Sequence, residues 1–594
     1  MRRLALLSWL AIFFAPQTGS AADLRAGNWK LAYWGGPPQD FVAMIIKVEP
    51  KDDGYSASLV EVAKNVGKPE VKSIKIADGQ IRLTIEIVGT ENTFEGPMTG
   101  EKEIRGSWAS TDRSMRPAQL IWTEEEKIDP KAATIKRELP GSLKKRNEMQ
   151  AEIINTRLKL GKATEEEARS LKDDLAKWQK ELAAEEPKLL QKSLEEECDA
   201  VLKMDTANIL LRNSTTEHPS LAEARRWVEM SSKVAETYGP RYRNEVLLRL
   251  GEWISQEPPL AELAMDIVER LKKGLANDPN VERKGRYLNV AVNVLRRLGR
   301  QNELRPAEAQ LEKTEAELDM AFLAKLPKIE VEPFAGRKNE GKRVVLMEMF
   351  TGAECPPCVA ADYAFDLLHD AFHATELVQL QYHMHIPAPD PLTNSDTVAR
   401  WVYYTKAFPK KVRGTPTAIF DGTPFDGGGG AIAASAETLK EYREAIESRL
   451  EEPAQADLKL EVARTGPRIT IKASVSDLVK GGEKVKLRFA LVESGIRYQG
   501  GNGLRHHHNV VRAMPGGSDG FALPGTAETR EVSVDLSELR MNLEKYLDTF
   551  AHEKQAFPRP QRPMEFKKVK VIAYVQDDAS HVIRQAVQAD VPEN

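Results

Sequence analysis

The chain has 594 residues, a formal net charge of −4 and 29% charged residues. A single hydrophobic core is excluded at this length, and about three to five domains is the expectation. Acids and bases are interspersed, and dense basic runs such as Lys144-Lys145-Arg146 are short enough to be solvated helix faces, so no nucleic-acid partner is indicated.

The first residues read as a secretory signal over 1–22. Arg2 and Arg3 form a charged start, Leu4 to Ala15 is an apolar run too short for a membrane span, and Ser20-Ala21-Ala22 offers small residues for cleavage before Asp23. No cysteine follows the run, so a lipid anchor is not indicated, and no later stretch is long enough to cross a bilayer. The expected mature protein is soluble and periplasmic or otherwise exported, with an uncleaved N-terminal anchor as the alternative. Three cysteines occur, Cys198, Cys355 and Cys358. An exported chain of this size without a disulfide framework does not rely on staples, so the close pair reads as reactive rather than structural.

Residues 23–127 are expected to be a small β-barrel or sandwich. Gly27-Asn28-Trp29 opens the region, and alternating segments follow at 42–48, 56–62, 71–76, 81–87 and 104–109, with Gly- and Asp-rich turns between them. The Gly-x-Trp start, Phe94-Glu95-Gly96 and Gly106-Ser107-Trp108 resemble the lipocalin-like β modules at the front of some exported bacterial proteins. A filled core is expected there in preference to a ligand cavity.

Residues 128–326 change to a helical period. Met149, Ile153 and Leu160 share one face, Gly161-Lys162-Ala163 turns the chain, and Thr164 with Glu167 makes a capping box before Leu171, Leu175, Trp178 and Leu182. From Ser220 the helices come in pairs, with Leu250-Gly251 and Leu298-Gly299 at corresponding ends. This resembles a degenerate tetratricopeptide-like array, which implies binding or spacing of other parts, a protein among them. The polar stretch 327–342 is the expected linker.

Residues 343–452 alternate strand and helix. The strand 344–350 ends in a short turn, and Cys355-Pro356-Pro357-Cys358 opens a helix. A thiolate at a helix N-terminus is stabilised by the dipole and by unpaired N–H groups, and prolines in the first turn cost little there. The β-α-β-α-β-β-α order, the Cys-x-x-Cys and the later Gly414-Thr415-Pro416-Thr417 resemble the thioredoxin fold. The resemblance implies a cis bond before Pro416, Thr415 and Pro416 lining the site and presenting backbone to a substrate chain, and Glu348 as counterpart of the family's buried acid. Glu354 stands where that family has tryptophan, and Pro356-Pro357 where it has Gly-Pro. Glu354 opposes thiolate formation while the helix end favours it, so oxidant and reductant roles both stay open.

Residues 453–594 turn β-rich, with one helix at 536–550, and a C-terminal β-sandwich is expected. Tyr498-Gln499-Gly500-Gly501-Asn502-Gly503, His506 through Arg512, and Ala573-Tyr574-Val575-Gln576-Asp577-Asp578 resemble the outer-membrane protein 28 family over residues 340–594. That family joins a thioredoxin-like domain to a β domain in this order.

The fold expected is therefore multidomain: an α/β thioredoxin-like domain flanked by an N-terminal β module plus a helical region and by a C-terminal β-sandwich. The expected function is thiol–disulfide exchange with protein thiols or disulfides in the exported compartment, Cys355 attacking and Cys358 resolving. No cofactor and no metal are expected. One competing class is a cell-envelope binding or scaffold protein with an inert module. The other is a copper protein using Cys355, Cys358 and His383 or His385. His506-His507-His508 reads as structural, Cys198 as an idle thiol, and Gly427 to Gly430 as a flexible connection that lacks the residues of a phosphate loop.

Overall fold

The computed structural model describes residues 24–52, 54–110, 115–129, 133–160, 163–213 and 218–593. The expected signal segment 1–22 lies outside them. The chain divides into two compact units at the Asn277–Asp278 boundary. Among the described residues, no helix is long and apolar enough to cross a membrane.

The first unit begins with β1 (Gly27–Trp34), β2 (Gln39–Lys51), β3 (Gly54–Val62), β4 (Pro69–Ala77), β5 (Gln80–Ile87), β6 (Thr90–Pro97), β7 (Glu103–Ser110) and β8 (Arg116–Thr123). They form one antiparallel sheet in the order β3-β2-β1-β8-β7-β6-β5-β4, with β9 (Thr134–Lys136) added to β2. Its end strands β3 and β4 come together, so the sheet is a nearly closed barrel. Alternation drives this: Trp29, Leu31, Met44, Ile46, Leu83, Ile85, Phe94 and Leu120 turn inward and are buried. Gly96 and Gly106 allow β6 and β7 to approach closely, since a Cβ on Gly96 would lie 2.3 Å from the Arg105 carbonyl oxygen.

Helices complete the unit. Gly141–Leu160 and Glu165–Glu195 run antiparallel, joined by Arg146–Glu186 at 2.6 Å, and Thr164 and Glu167 cap the second helix reciprocally. Shorter helices follow at Ala200–Arg212, Leu221–Glu236, Pro240–Ile254 and Ala261–Leu275. Each buries an apolar stripe, as Trp227, Val228 and Ala235 do.

The second unit opens with helices Val281–Arg297 and Gln301–Leu323. Its main sheet contains β10 (Val345–Thr351), β11 (Leu377–His383), β12 (Thr417–Phe420), β13 (Thr423–Pro424), β16 (Gly482–Glu493), β19 (Val510–Ala513), β20 (Phe521–Leu523), β22 (Val569–Asp577) and β23 (Ile583–Asp590). Their order is β13-β12-β10-β11-β19-β16-β22-β23, with β20 beside β16. β10 runs parallel to β11 and antiparallel to β12, and β12 turns into β13 through Asp421-Gly422, both at positive φ. A separate sheet holds β14 (Asp457–Thr465), β15 (Arg468–Ser476) and β21 (Glu528–Asp535), and β17 (Ile496–Arg497) pairs with β18 (His506–His507).

This corrects the expected fold class. The chain does not form a self-contained thioredoxin-like α/β domain followed by a C-terminal β-sandwich. The strands of 345–424 and of 482–590 are halves of one nine-stranded sheet, joined where β11 meets β19 at Gln381 and Val510. The physical reason lies in β16 and β22. Val485, Leu487, Phe489 and Leu491 alternate along β16 into one core, and the opposite face is buried as well, carrying Arg488, 1% exposed, with Ala490 and Val492 in a second core. Strands buried on both faces sit inside a sheet rather than at the surface of a sandwich. Arg488 is accommodated by Asp578 at 2.9 Å and by Gln576 Oε1 at 3.2 Å.

Candidate functional site

Cys355 and Cys358 form a disulfide where β10 gives way to a helix. Gly352 turns the chain, the Cys355 N–H donates to the Gly352 carbonyl at 3.0 Å, and Pro356–Cys358 make one tight turn before the Val359–Ala371 helix. The prolines are exposed, whereas Cys355 is 1% exposed and Cys358 fully buried. Few N–H donors remain free at this helix end. Prolines have none, the Cys358 N–H goes to the Cys355 carbonyl, and the Ala360 N–H goes to the Gly430 carbonyl at 3.1 Å. A Cys355 thiolate would depend on the helix dipole more than on direct donors.

Thr415 and Pro416 reach the pair, joined by a cis bond. The Thr415 hydroxyl donates to Cys355 Sγ at 3.3 Å, and the Thr415 carbonyl oxygen lies 3.7 Å from the same sulfur. The latter is a contact only, since a disulfide sulfur has no proton. The run Gly427 to Gly430 is pinned against the Pro356-Pro357 turn and Pro416. The Gly430 N–H donates to the Pro357 carbonyl at 2.7 Å, and a Cβ on Gly429 would lie 3.4 Å from Pro416 Cγ. Gly428, at φ +95°, passes so close to Tyr442 that a Cβ would lie 2.0 Å from its hydroxyl.

A second strap comes from residues 498–503. The Asn502 N–H donates to the Ala353 carbonyl at 2.9 Å, and the Gly501 N–H to Glu354 Oε2 at 2.8 Å. Burial raises the Glu354 carboxyl, partly offset by that N–H. Glu354 therefore anchors a loop as well as adding charge beside Cys355.

Beneath the turn lies a buried polar chain. Asp390 Oδ2 accepts from the Ala353 N–H at 2.6 Å and lies 2.8 Å from His383 Nδ1. His383 Nε2 lies 3.1 Å from Gln381 Oε1, and Gln381 Nε2 donates to Asp362 Oδ1 at 3.2 Å. Asp362 Oδ2 also accepts from the Thr351 hydroxyl at 2.8 Å. Burial opposes the Asp390 charge, but His383 and the N–H donors outweigh it and hold this carboxyl below its usual range. Burial pushes Asp362 up to about 7. Asp362 stands four positions after Cys358, one helical turn along.

The structure does not bring Glu348 to the cysteines. Along β10, Val345, Met347 and Met349 face the helix that carries the pair, whereas Leu346, Glu348 and Phe350 face the opposite core. There Arg400 holds Glu348 in a bidentate pair at 2.8 and 3.0 Å, with the Tyr404 hydroxyl as a further donor. Asp362 is the buried acid on the cysteine side. Its sequence signal is an acid inside the apolar face formed by Ala361, Ala364 and Phe365. Asp390 has no local signal, because it reaches Ala353 across 37 positions.

The histidines separate. His383 is buried in the chain just described, while His385 stacks on Phe550 with ring centroids 3.7 Å apart. His506 meets Asp319 at 3.1 Å, and His507 is buried, with Nε2 2.8 Å from the Tyr498 carbonyl oxygen. Burial holds His507 down to about 3, and His385 and His508 to about 4. Among the described residues, no group of three or more His, Cys, Asp or Glu is placed to hold a metal ion. Cys198 is a free, half-buried thiol in the first unit.

No family model and no curated protein matches the chain. Three solved structures show weak likeness. HBP35 of Porphyromonas gingivalis is 17% identical over 43% of this chain and 77% of its own, with a TM-score of 0.31. A structural-genomics target protein of Agrobacterium tumefaciens is 16% identical over 43% and 96%, with a TM-score of 0.27. A β-glucosidase of Kluyveromyces marxianus is 13% identical over 27% and 18%, with a TM-score of 0.12. Likenesses of this size define neither a fold family nor an activity for this chain.

Proposed function

We propose that this chain is an exported thiol–disulfide oxidoreductase acting on protein substrates through Cys355 and Cys358. The observation that carries the proposal is the disulfide at the start of a helix, with Thr415 against Cys355 Sγ and a buried acid one turn beyond Cys358. In the proposed reaction a substrate thiolate attacks Cys355 Sγ. The Sγ–Sγ bond breaks and its electron pair leaves on Cys358, whose thiolate takes up a proton. A second substrate thiol then attacks the substrate sulfur of the mixed disulfide and expels Cys355. Two electrons and two protons pass from the substrate dithiol to the pair, and the reverse sequence reduces a substrate disulfide. Asp362, set near pH 7, is the proposed proton partner of Cys358.

One observation favours a second reading. Cys355 is 1% exposed, as in a structural disulfide of a non-catalytic binding module. Insulin reduction driven by dithiothreitol separates the readings. The wild type accelerates insulin precipitation and Cys355→Ser does not; equal rates refute the exchange reaction. The Cys358→Ser variant should accumulate mixed disulfides with exported proteins, which identifies the partners. Export is tested by sequencing the N-terminus of the cell-associated protein. A mature start at Asp23 supports it, and an unprocessed cytoplasmic chain sinks it.

A further inference from the structure

The first unit holds a cavity of about 260 Å³ where the sheet meets the helices. Arg105 from β7 lines it, with Arg137 just after β9, Asp199 at the start of the Ala200–Arg212 helix, and Lys233 and Tyr238 from the end of the Leu221–Glu236 helix. Three cations thus face one acid. The Ala200–Arg212 helix also turns its N-terminal end to the space, since Ala200 and Val201 line it.

The donors here outnumber the acceptors that the protein supplies. Arg137 is engaged by Asp40 and Asp199, each at 2.6 Å, yet its buried Nε–H has no acceptor. Those pairs also occupy the nearby carboxylates. Arg105 Nε is taken by Glu103 at 2.9 Å. Lys233, exposed at the wall, makes no ion pair among the described residues. Tyr238 is 6% exposed, and no described residue hydrogen-bonds its hydroxyl. The buried Arg137 Nε–H thus lacks the acceptor that a buried donor requires, and Tyr238 lines the cavity with a hydroxyl that no described residue engages. The missing partner is an acceptor, and because Lys233 at the wall has no carboxylate of its own among the described residues, an anion is the fitting one.

We propose that this cavity binds a small molecule bearing an oxyanion, a carboxylate or a phosphate, held by Tyr238, Arg105 and Lys233. The volume is at the small end of ligand pockets, which suits a short metabolite rather than a lipid chain or a polymer. This site is independent of the cysteine chemistry.

The test is calorimetric titration of the full chain at about 0.15 M salt, where weak surface attraction is screened. The probes are succinate, benzoate, glycerol phosphate and inorganic phosphate, with succinamide as the neutral control. At least one anionic probe should bind saturably and succinamide should not. Preference for carboxylate or phosphate then assigns the source of the oxyanion. Tyr238→Phe and Lys233→Met should each weaken binding by about tenfold or more, the loss of one charge-assisted hydrogen bond. Both variants should keep the wild-type thermal unfolding profile. No saturable binding of any anionic probe, equal binding of succinamide, or unchanged affinity in both variants overturns the proposal.

Discussion

Asp362→Asn should reverse its effect on stability between acid and neutral pH. The carboxyl is buried and its pKa is pushed up from an ordinary 3.8 to about 7. Between about pH 4 and pH 7 the folded chain therefore keeps a proton that the unfolded chain has released. Stability falls as pH rises through that window, because the folded state binds more protons. At about 1.4 kcal/mol per pH unit, the accumulated penalty above pH 7 is on the order of 4 kcal/mol. Asparagine cannot ionise, so it escapes that penalty. It still accepts from Thr351 but turns an NH2 group toward Gln381 Nε2, which loses a hydrogen bond at a cost of about 1 kcal/mol. The variant should then be about 1 kcal/mol less stable than wild type at pH 3, about equally stable at pH 4.5, where wild type already carries about 1 kcal/mol of the penalty, and about 3 kcal/mol more stable at pH 8. Urea titrations with the disulfide intact, read by hydrogen–deuterium exchange on peptides spanning 345–383, measure all three. A difference that stays constant from pH 4.5 to pH 8 refutes the reasoning, because it would mean that Asp362 titrates as an ordinary surface carboxyl.

Three further substitutions probe the same architecture. Glu348→Ala strands the buried Arg400 charge and should destabilise the second unit by about 3–5 kcal/mol in urea unfolding. It should leave the rate at which dithiothreitol reduces the folded disulfide unchanged, and an altered rate would place Glu348 in the cysteine environment after all. Gly428→Ala drives a methyl into Tyr442 at φ +95° and should cost about 1–3 kcal/mol. By loosening the glycine run from the Pro356-Pro357 turn it should also speed that reduction several-fold, whereas an unchanged rate would show that the run does not limit access. Gly96→Ala sets a Cβ against the Arg105 carbonyl and should lower the melting temperature of the barrel unit through about 1–3 kcal/mol of overpacking. A neutral result would deny the close β6–β7 approach.

Local patterns were readable where local physics decides. The Thr164–Glu167 capping box and the helix after Cys355-Pro356-Pro357-Cys358 each depend on residues within a few positions of one another. The meeting of Thr415 with Cys355 was reached only through a family resemblance, since 60 residues separate them. The side of the sheet on which an acid falls was missed. Glu348 and Met347 are neighbours in sequence, but strand alternation sends them to different cores, and which core receives the cysteine helix is set by the packing of elements distant in the chain.

Arg400, Arg488 and Arg512 mark the same limit. Each reads as a surface residue, yet each is buried. A buried arginine is tolerable only when a carboxylate or carbonyl meets it, and Arg400 finds Glu348 from 52 positions away. Composition, periodicity, caps and turns thus set the alternation of strands and helices over 343–452 and located the cysteine pair, because those signals act over one or two turns of chain. Whether the strands of 345–424 closed on themselves or continued into those of 482–590 was decided only in three dimensions. The deciding term is the pairing of buried charges and edge strands, an energy that exists only once distant segments have come together.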